Sequence, residues 1–244
     1  RAFDITYEDA SGSQQYVHQT TYGMSERLLG AIVASHGDDK GLVMPPSVAP
    51  VQVVVIPIIS KGGSSDVISE SERITSELKA AGIRVRLDSR DIRPGQKYYD
   101  WEIKGVPLRM EIGPRDLANN SVMCVRRTGG KHSHSMDNLV DTVRSELDII
   151  GEEIKQQSSD HFNSRVKTLP AFTIDGTDLI FDQAIEKGTV YEIAFDGNDA
   201  EAEMIEKGTD LSFLGDSTKV YKKKVPCVIT GKPTTRRIFL AKPY

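Results

Sequence analysis

Cysteine is nearly missing from this chain: Cys124 and Cys227 are the only two among 244 residues. Two cysteines without a CxxC pair make no disulfide framework, which fits a reducing compartment. Histidine is also sparse, and His18, His36, His132, His134 and His161 show none of the short pair spacings of a metal site. Long apolar runs are missing too. The longest, Val53 to Ile59, is interrupted by Pro57 and falls far short of the roughly 20 residues that span a bilayer. No apolar N-terminal segment reads as a signal peptide, so the chain is expected to be soluble and cytoplasmic. Nor does either charge sign dominate, since 31 basic and 35 acidic side chains leave a formal net charge of −4. Local patches, not totals, therefore decide what the surface binds. What is present is an apolar share of 38%, enough for real cores and too much for a disordered chain. The sequence opens Arg1-Ala2-Phe3-Asp4-Ile5-Thr6-Tyr7, without Met and with apolar residues alternating from the start, as a strand inside something longer would.

Phe3, Ile5 and Tyr7 alternate up to a polar turn at Ser11-Gly12-Ser13, and a second strand is expected through Tyr16 to Thr21. From Ser25 the apolar residues Leu28, Leu29, Ile32 and Val33 recur at helical spacing, with Ser25 and Arg27 opening the helix and His36-Gly37-Asp38-Asp39 ending it. Three prolines, Pro45, Pro46 and Pro50, forbid a helix next and mark a domain boundary. Val51 to Ile59 is β-branched and apolar on both faces, as in a covered parallel strand. A turn and cap at Lys61 to Asp66 lead into a helix ending at Gly82, and a half-exposed strand holds Ile83, Val85 and Leu87. A helix over Gln96 to Lys104 and strands at Leu108 to Ile112 and Ser121 to Val125 continue the alternation of an α/β domain. A long helix from Met136 to Ile154 follows. The remainder reads as a small α+β module: strand-like Thr189 to Phe195, an acidic stretch Asp196 to Glu206, a loop-rich segment through Gly215, Lys222-Lys223-Lys224, and strand-like Pro226 to Thr230 and Arg237 to Ala241.

Three segments carry chemistry. In Gly23-Met24-Ser25-Glu26-Arg27 a glycine turn and an arginine near a helix N-terminus suit a nucleotide, although spacing alone allows Arg27 to be a plain surface residue. In the stretch from Pro94 to Arg109, Tyr98 or Tyr99 can stack on unpaired bases, Glu102 can accept from guanine N1 and N2, and Arg109 can pair with a base or phosphate. The alternative there is a solvated helix face with Trp101 anchored in the core. Arg126-Arg127-Thr128-Gly129-Gly130-Lys131-His132 is a basic glycine turn that suits RNA phosphates, or else a solvated loop.

Thr20 to Ala31, His36 to Pro46 and Val48 to Val54 closely resemble motif 3 of the prolyl-tRNA synthetases of archaeal and eukaryotic type, which are class II aminoacyl-tRNA synthetases. Lys104-Gly105-Val106-Pro107-Leu108-Arg109-Met110-Glu111-Ile112-Gly113-Pro114-Arg115-Asp116-Leu117 resembles the hallmark of their anticodon-binding domain, and a terminal tyrosine, Tyr244, also fits. The resemblance implies an α/β fold in three parts. Residues 1–47 would be the end of the antiparallel catalytic core, 48–150 an α/β anticodon-binding domain with a mixed sheet, and 151–244 a small α+β domain of zinc type with a degenerate metal site. It implies activation of L-proline with ATP and Mg²⁺ to prolyl-adenylate and transfer to proline tRNA, by a homodimer formed through the catalytic core. By position, Arg27 would be the catalytic arginine holding ATP, with Ser25 and Gln19 beside the nucleotide and Thr21, Tyr22 and Gly23 along the proline and adenylate pocket. Glu102, Arg109 and Lys131 would read the two guanines shared by proline anticodons, with Tyr98 stacking. Family members often carry Ser-Trp where this chain has Thr21-Tyr22, and motifs 1 and 2 do not occur, so this stretch alone is not expected to be active. Of the four cysteine positions of the tail, three hold Asp196, Glu201 and Thr230 and only Cys227 remains. Hard carboxylates with one thiolate make a poor zinc site, so no zinc is expected and Cys227 is expected to be a plain strand residue. The alternative function is a non-catalytic anticodon-binding protein derived from a synthetase.

Overall fold

A computed structural model describes residues 3–59, 65–176 and 178–242. Arg1 and Ala2, most of the turn expected from Lys61 to Asp66, and the terminal Tyr244 lie outside the described residues. The chain forms two compact units, Arg1–Ile154 and Lys155–Tyr244. No helix among the described residues is long and apolar enough to cross a membrane.

The first unit opens with β1 (Thr6–Glu8) and β2 (Gln14–Tyr16), an antiparallel hairpin. Asp9 makes its turn by accepting from the Ser11 and Ser13 backbone amides at 2.9 and 3.1 Å. β2 ends at Tyr16, short of the strand expected through Thr21. The helix expected from Ser25 is α1 (Arg27–His36), preceded by Glu26 without a side-chain cap, so Ser25 does not close it. No residue of α1 is buried. Phe3, Ile5, Tyr7, Tyr16, Val17, Met24, Leu28, Leu29 and Val33 are all exposed, an apolar surface open to solvent.

β3 (Val53–Pro57), α2 (Ser65–Ala80), β4 (Val85–Leu87), α3 (Pro94–Ile103), β5 (Leu108–Ile112), α4 (Pro114–Ala118), β6 (Ser121–Arg126), β7 (Lys131–Ser135) and α5 (Leu139–Arg165) follow. The sheet order is β4-β3-β5-β6-β7, parallel across β4, β3 and β5 and antiparallel from β5 to β7. The mixed α/β architecture expected from the sequence is therefore present. The strand period of two explains why both faces are apolar. Val53 and Val55 join Leu108, Met110, Ile112, Val122 and Cys124 in a core that also takes Ile74 and Leu78 of α2 and Leu139, Val143 and Ile150 of α5. Val54 and Ile56 face the other way, into a smaller core with Trp101 and Val106. Each such buried side chain contributes on the order of 1.5–3 kcal/mol relative to exposure. β7 falls where the sequence reads only a basic turn, because Lys131 to Ser135 is too polar to look like a strand and is exposed along most of its length.

Residues 38–44 are fastened beside the end of α3. Gly41 sits at φ +128, and a Cβ there would meet the Ile103 Cα at 2.6 Å, so the backbones approach as only glycine permits. The Leu42 amide donates to the Ile103 carbonyl at 3.0 Å.

In the second unit, β8 (Val166–Thr168), β9 (Phe172–Asp175), β10 (Asp178–Phe181), β11 (Val190–Ala194), α6 (Asp199–Thr209), β12 (Ser212–Asp216), β13 (Val225–Pro226), β14 (Pro233–Thr234) and β15 (Arg237–Ala241) occur in order. The main sheet runs β12-β15-β11-β8, with separate β9–β10 and β13–β14 hairpins. Its core gathers Tyr191, Ile193, Phe195, Ile205, Ile238 and Leu240. The acidic stretch from Asp196 is mostly α6, whose Asn198 cap accepts from the Glu201 amide at 3.0 Å while Glu201 accepts from the Asn198 amide at 2.8 Å. The loop-rich reading through Gly215 is corrected in part, since Ser212–Asp216 pairs with β15. The strand expected over Pro226 to Thr230 is also corrected, because only Val225–Pro226 pairs and the chain then turns.

Candidate functional site

Four residues expected to act together do meet. α3 supplies Tyr98 and Glu102, β5 supplies Arg109 and the start of β7 supplies Lys131, and all line a groove of about 590 Å³. Register explains the convergence. Val54, Arg109, Val125 and Lys131 are successive cross-strand partners, so they occupy one row on the α3 side of the sheet. The Arg109 guanidinium carbon lies 4.0 Å from the Tyr98 ring centroid, a cation–π stack. Lys40, a groove residue that sequence reasoning missed, approaches Glu102 at 3.5 Å.

Glu111 is the other residue missed, and the signal for it was the strand period, which puts it on the Arg109 face two positions on. Its Oε1 accepts from Arg109 Nε and its Oε2 from Lys131 Nζ, both at 3.0 Å. Burial, followed by the Glu111 charge, pushes the Tyr98 phenol up to about 12, so it stays neutral. Tyr99 is exposed and does not line the groove.

α3 is aimed by a buried polar cluster. Trp101 is buried, and its Nε1 donates to Asp88 Oδ2 at 2.7 Å. Arg90 donates to the same carboxylate from Nε at 2.8 Å and from Nη2 at 2.7 Å, and the Lys97 ammonium reaches the Asp88 carbonyl at 3.1 Å. The Arg90 guanidinium, with help from the indole, outweighs burial and holds the Asp88 carboxyl at about 2. Trp101 is therefore a core anchor that also reaches the groove, where Tyr98 and Glu102 are the other lining residues of α3.

The basic turn is corrected. Arg126 does not face the groove's ligand space freely: it forks onto Glu146 of α5 at 2.6 and 3.1 Å and reaches Glu153 at 2.9 Å. Arg127, with a side chain only 4% exposed, donates to Asp38 at 2.8 Å and to the Glu102 carbonyl at 3.2 Å. That bond from Arg127 holds the Asp38 carboxyl at about 2, against burial. All three cations of this run line the groove, but both arginines are shielded and held by protein carboxylates, whereas Lys131 has 56% of its side chain exposed.

The motif 3 residues are arranged differently. Gln19, Thr21, Tyr22, Gly23 and Ser25 lie exposed between β2 and α1, with Tyr22 93% exposed, and Arg27 is the first residue of α1. They do not line the groove.

In the tail, Cys227 is buried but opens a turn instead of sitting in a strand, its amide donating to the Lys232 carbonyl at 2.8 Å. Burial pushes its thiol up, yet hydrogen bonds from Thr230 and from the Asp196 and Ile229 amides outweigh it and the thiol is lowered overall. Glu201 is engaged in the α6 cap, and no group of three His, Cys, Asp or Glu able to hold a metal occurs among the described residues. These residues do not fit zinc.

Residues 52–146 match the family model for an anticodon binding domain. A proline–tRNA ligase of Methanocorpusculum labreanum is 44% identical over 234 residues, which is 95% of this chain and 48% of that protein. One from Thermococcus kodakarensis is 43% identical over 237 residues, again 95% and 48%. This chain is related to the proline–tRNA ligases. A third relative of that name, from Methanosarcina mazei, is 42% identical over 247 residues and covers 100% of the chain and 50% of its own length. The chain thus spans about half the length of the curated relatives it matches. The resemblance read from the motifs is met, and every residue lining the groove except Lys40 lies inside the anticodon-binding match.

Proposed function

We propose that this chain is the part of a prolyl-tRNA synthetase that carries motif 3 and reads the anticodon of proline tRNA. The observation that carries the reading is the convergence of Tyr98, Glu102, Arg109 and Lys131 on one groove. Their chemistry suits guanines in an unpaired loop, whose Watson–Crick edges are open: a carboxylate accepts from N1 and N2, and cationic donors serve O6 and N7. A hairpin RNA bearing a UGG loop, titrated by fluorescence anisotropy, is expected to bind at least about tenfold tighter than the same hairpin with a guanine replaced by adenine. Equal binding would refute the reading.

We further infer that residues 1–47 end a catalytic core, 48–150 form the anticodon-binding domain and 151–244 a tail domain that needs no zinc. The exposed apolar residues between Phe3 and Val33 support the first of these, because a surface of that kind ordinarily meets another element. In the whole enzyme, proline and ATP with Mg²⁺ give prolyl-adenylate and pyrophosphate, and the prolyl group then passes to the terminal adenosine of the tRNA while AMP leaves. The enzyme works as a homodimer through that core. Arg27, at the N-terminal end of α1, offers a cation to the triphosphate, with Ser25 and Gln19 beside it and Thr21, Tyr22 and Gly23 toward proline. In the full-length protein, Arg27→Ala is expected to lower proline-dependent ATP–pyrophosphate exchange by about 100-fold or more. Unchanged exchange would remove Arg27 from the ATP site.

A further inference from the structure

Arg109 carries two separate constraints. Stacking on Tyr98 at 4.0 Å fixes the plane of the guanidinium, and the bond from Nε to Glu111 fixes its rotation within that plane. Among the described residues its two terminal nitrogens carry no hydrogen bond to protein, so the free fork has one orientation. Lys131, a long flexible cation on an exposed strand, is tethered by the other oxygen of the same carboxylate. Glu111 itself is 7% exposed, too buried to be a second base acceptor beside Glu102.

We propose that Glu111 is a positioning residue for guanine discrimination, holding Arg109 and Lys131 in register for base edges and keeping them from acting as loose phosphate binders. This rests on the reading of the groove as an anticodon site. The charge arrangement gives the proposal an unusual signature. Arg126 and Arg127 also line the groove but are held by Glu146, Glu153 and Asp38. The three remaining cations, Lys40, Arg109 and Lys131, meet two carboxylates, Glu102 in the lining and Glu111 beside it. Removing the Glu111 charge leaves three against one, which favours any RNA backbone while freeing both cations from their fixed directions. Specificity and overall affinity should therefore move in opposite directions, which damage to the fold does not produce.

The test is anisotropy titration of the chain with the UGG hairpin and its adenine-replaced partner across a range of salt. Glu111→Gln is expected to reduce the ratio of the two affinities by about tenfold. Its affinity for the replaced hairpin at low salt should hold or rise, with a steeper salt dependence. Glu111→Asp keeps the charge but is too short to reach both partners; it should lose discrimination with the salt dependence of the unaltered chain, and it answers the question if the Gln variant fails to fold. A folded variant of either kind that keeps full discrimination overturns the proposal, as does an equal loss on both hairpins. If the unaltered chain fails to discriminate, the anticodon reading itself falls, a result distinct from discrimination that survives the loss of Glu111.

Discussion

Arg109→Ala is expected to weaken binding of the UGG hairpin by about 10- to 100-fold, with most of the loss in the preference for guanine. The side chain offers a planar donor fork, already stacked on Tyr98 and tied to Glu111, so little ordering remains to be done when a base arrives. Its removal also leaves Glu111, a buried carboxylate, with Lys131 as its remaining cation. Arg109→Lys separates the two effects. Lysine restores the charge but neither the fork nor the stack, so affinity for both hairpins should partly return while the ratio between them stays low. Parallel titrations of the two variants decide the matter, and a uniform loss for every loop would mean that Arg109 only touches the backbone.

Arg126→Met is expected to destabilise the first unit by about 3–5 kcal/mol near pH 8, because it strands Glu146 in the core without the partner that offsets its desolvation. The pair is well formed: Arg126 is bidentate on Glu146 and its third nitrogen reaches Glu153. Both residues of the main pair are largely shielded, with side chains 13% and 4% exposed. His134 Nε2 lies 3.0 Å from Glu146 without a hydrogen bond, and His134 and His132 pull on that carboxyl less than Arg126 does. The Arg126 bond holds the Glu146 carboxyl below its ordinary value despite burial. A depressed carboxylate contributes stability above its unfolded value of about 4.3, and that contribution is lost as pH falls through the folded value. In the variant, burial without the arginine raises the carboxyl, so Glu146 takes up a proton earlier. The difference between the two proteins should therefore be largest at pH 8 and shrink toward pH 4, as denaturant melts at several pH values would measure. A difference that stays constant with pH would mean that the cost comes from packing and not from the charge.

The two arginines next to each other show where reading the chain stops. Arg126 and Arg127 look like one basic run with Lys131, and nothing local separates them. Their partners are 20 to 89 residues away, and strand alternation sends Arg126 toward α5 and Arg127 toward Asp38. Glu111 was hidden for the opposite reason. It sits two positions after a recognised residue, but a carboxylate in a buried strand has meaning only once its two cations are known to lie within reach. β7 was hidden by its polarity, which follows from its place at the sheet edge.

Where apolar periodicity was strong, the chain alone settled the outcome: the doubly covered β3, the alternation of β5, the amphipathic α2 and the long α5 each follow from which side chains must leave water. The motifs likewise carried the relationship to proline–tRNA ligases. Tertiary structure decided which charges are available to a ligand and which hold the site together. That choice depends on register across β5, β6 and β7, a set of pairings between distant residues that no local pattern of residue types encodes.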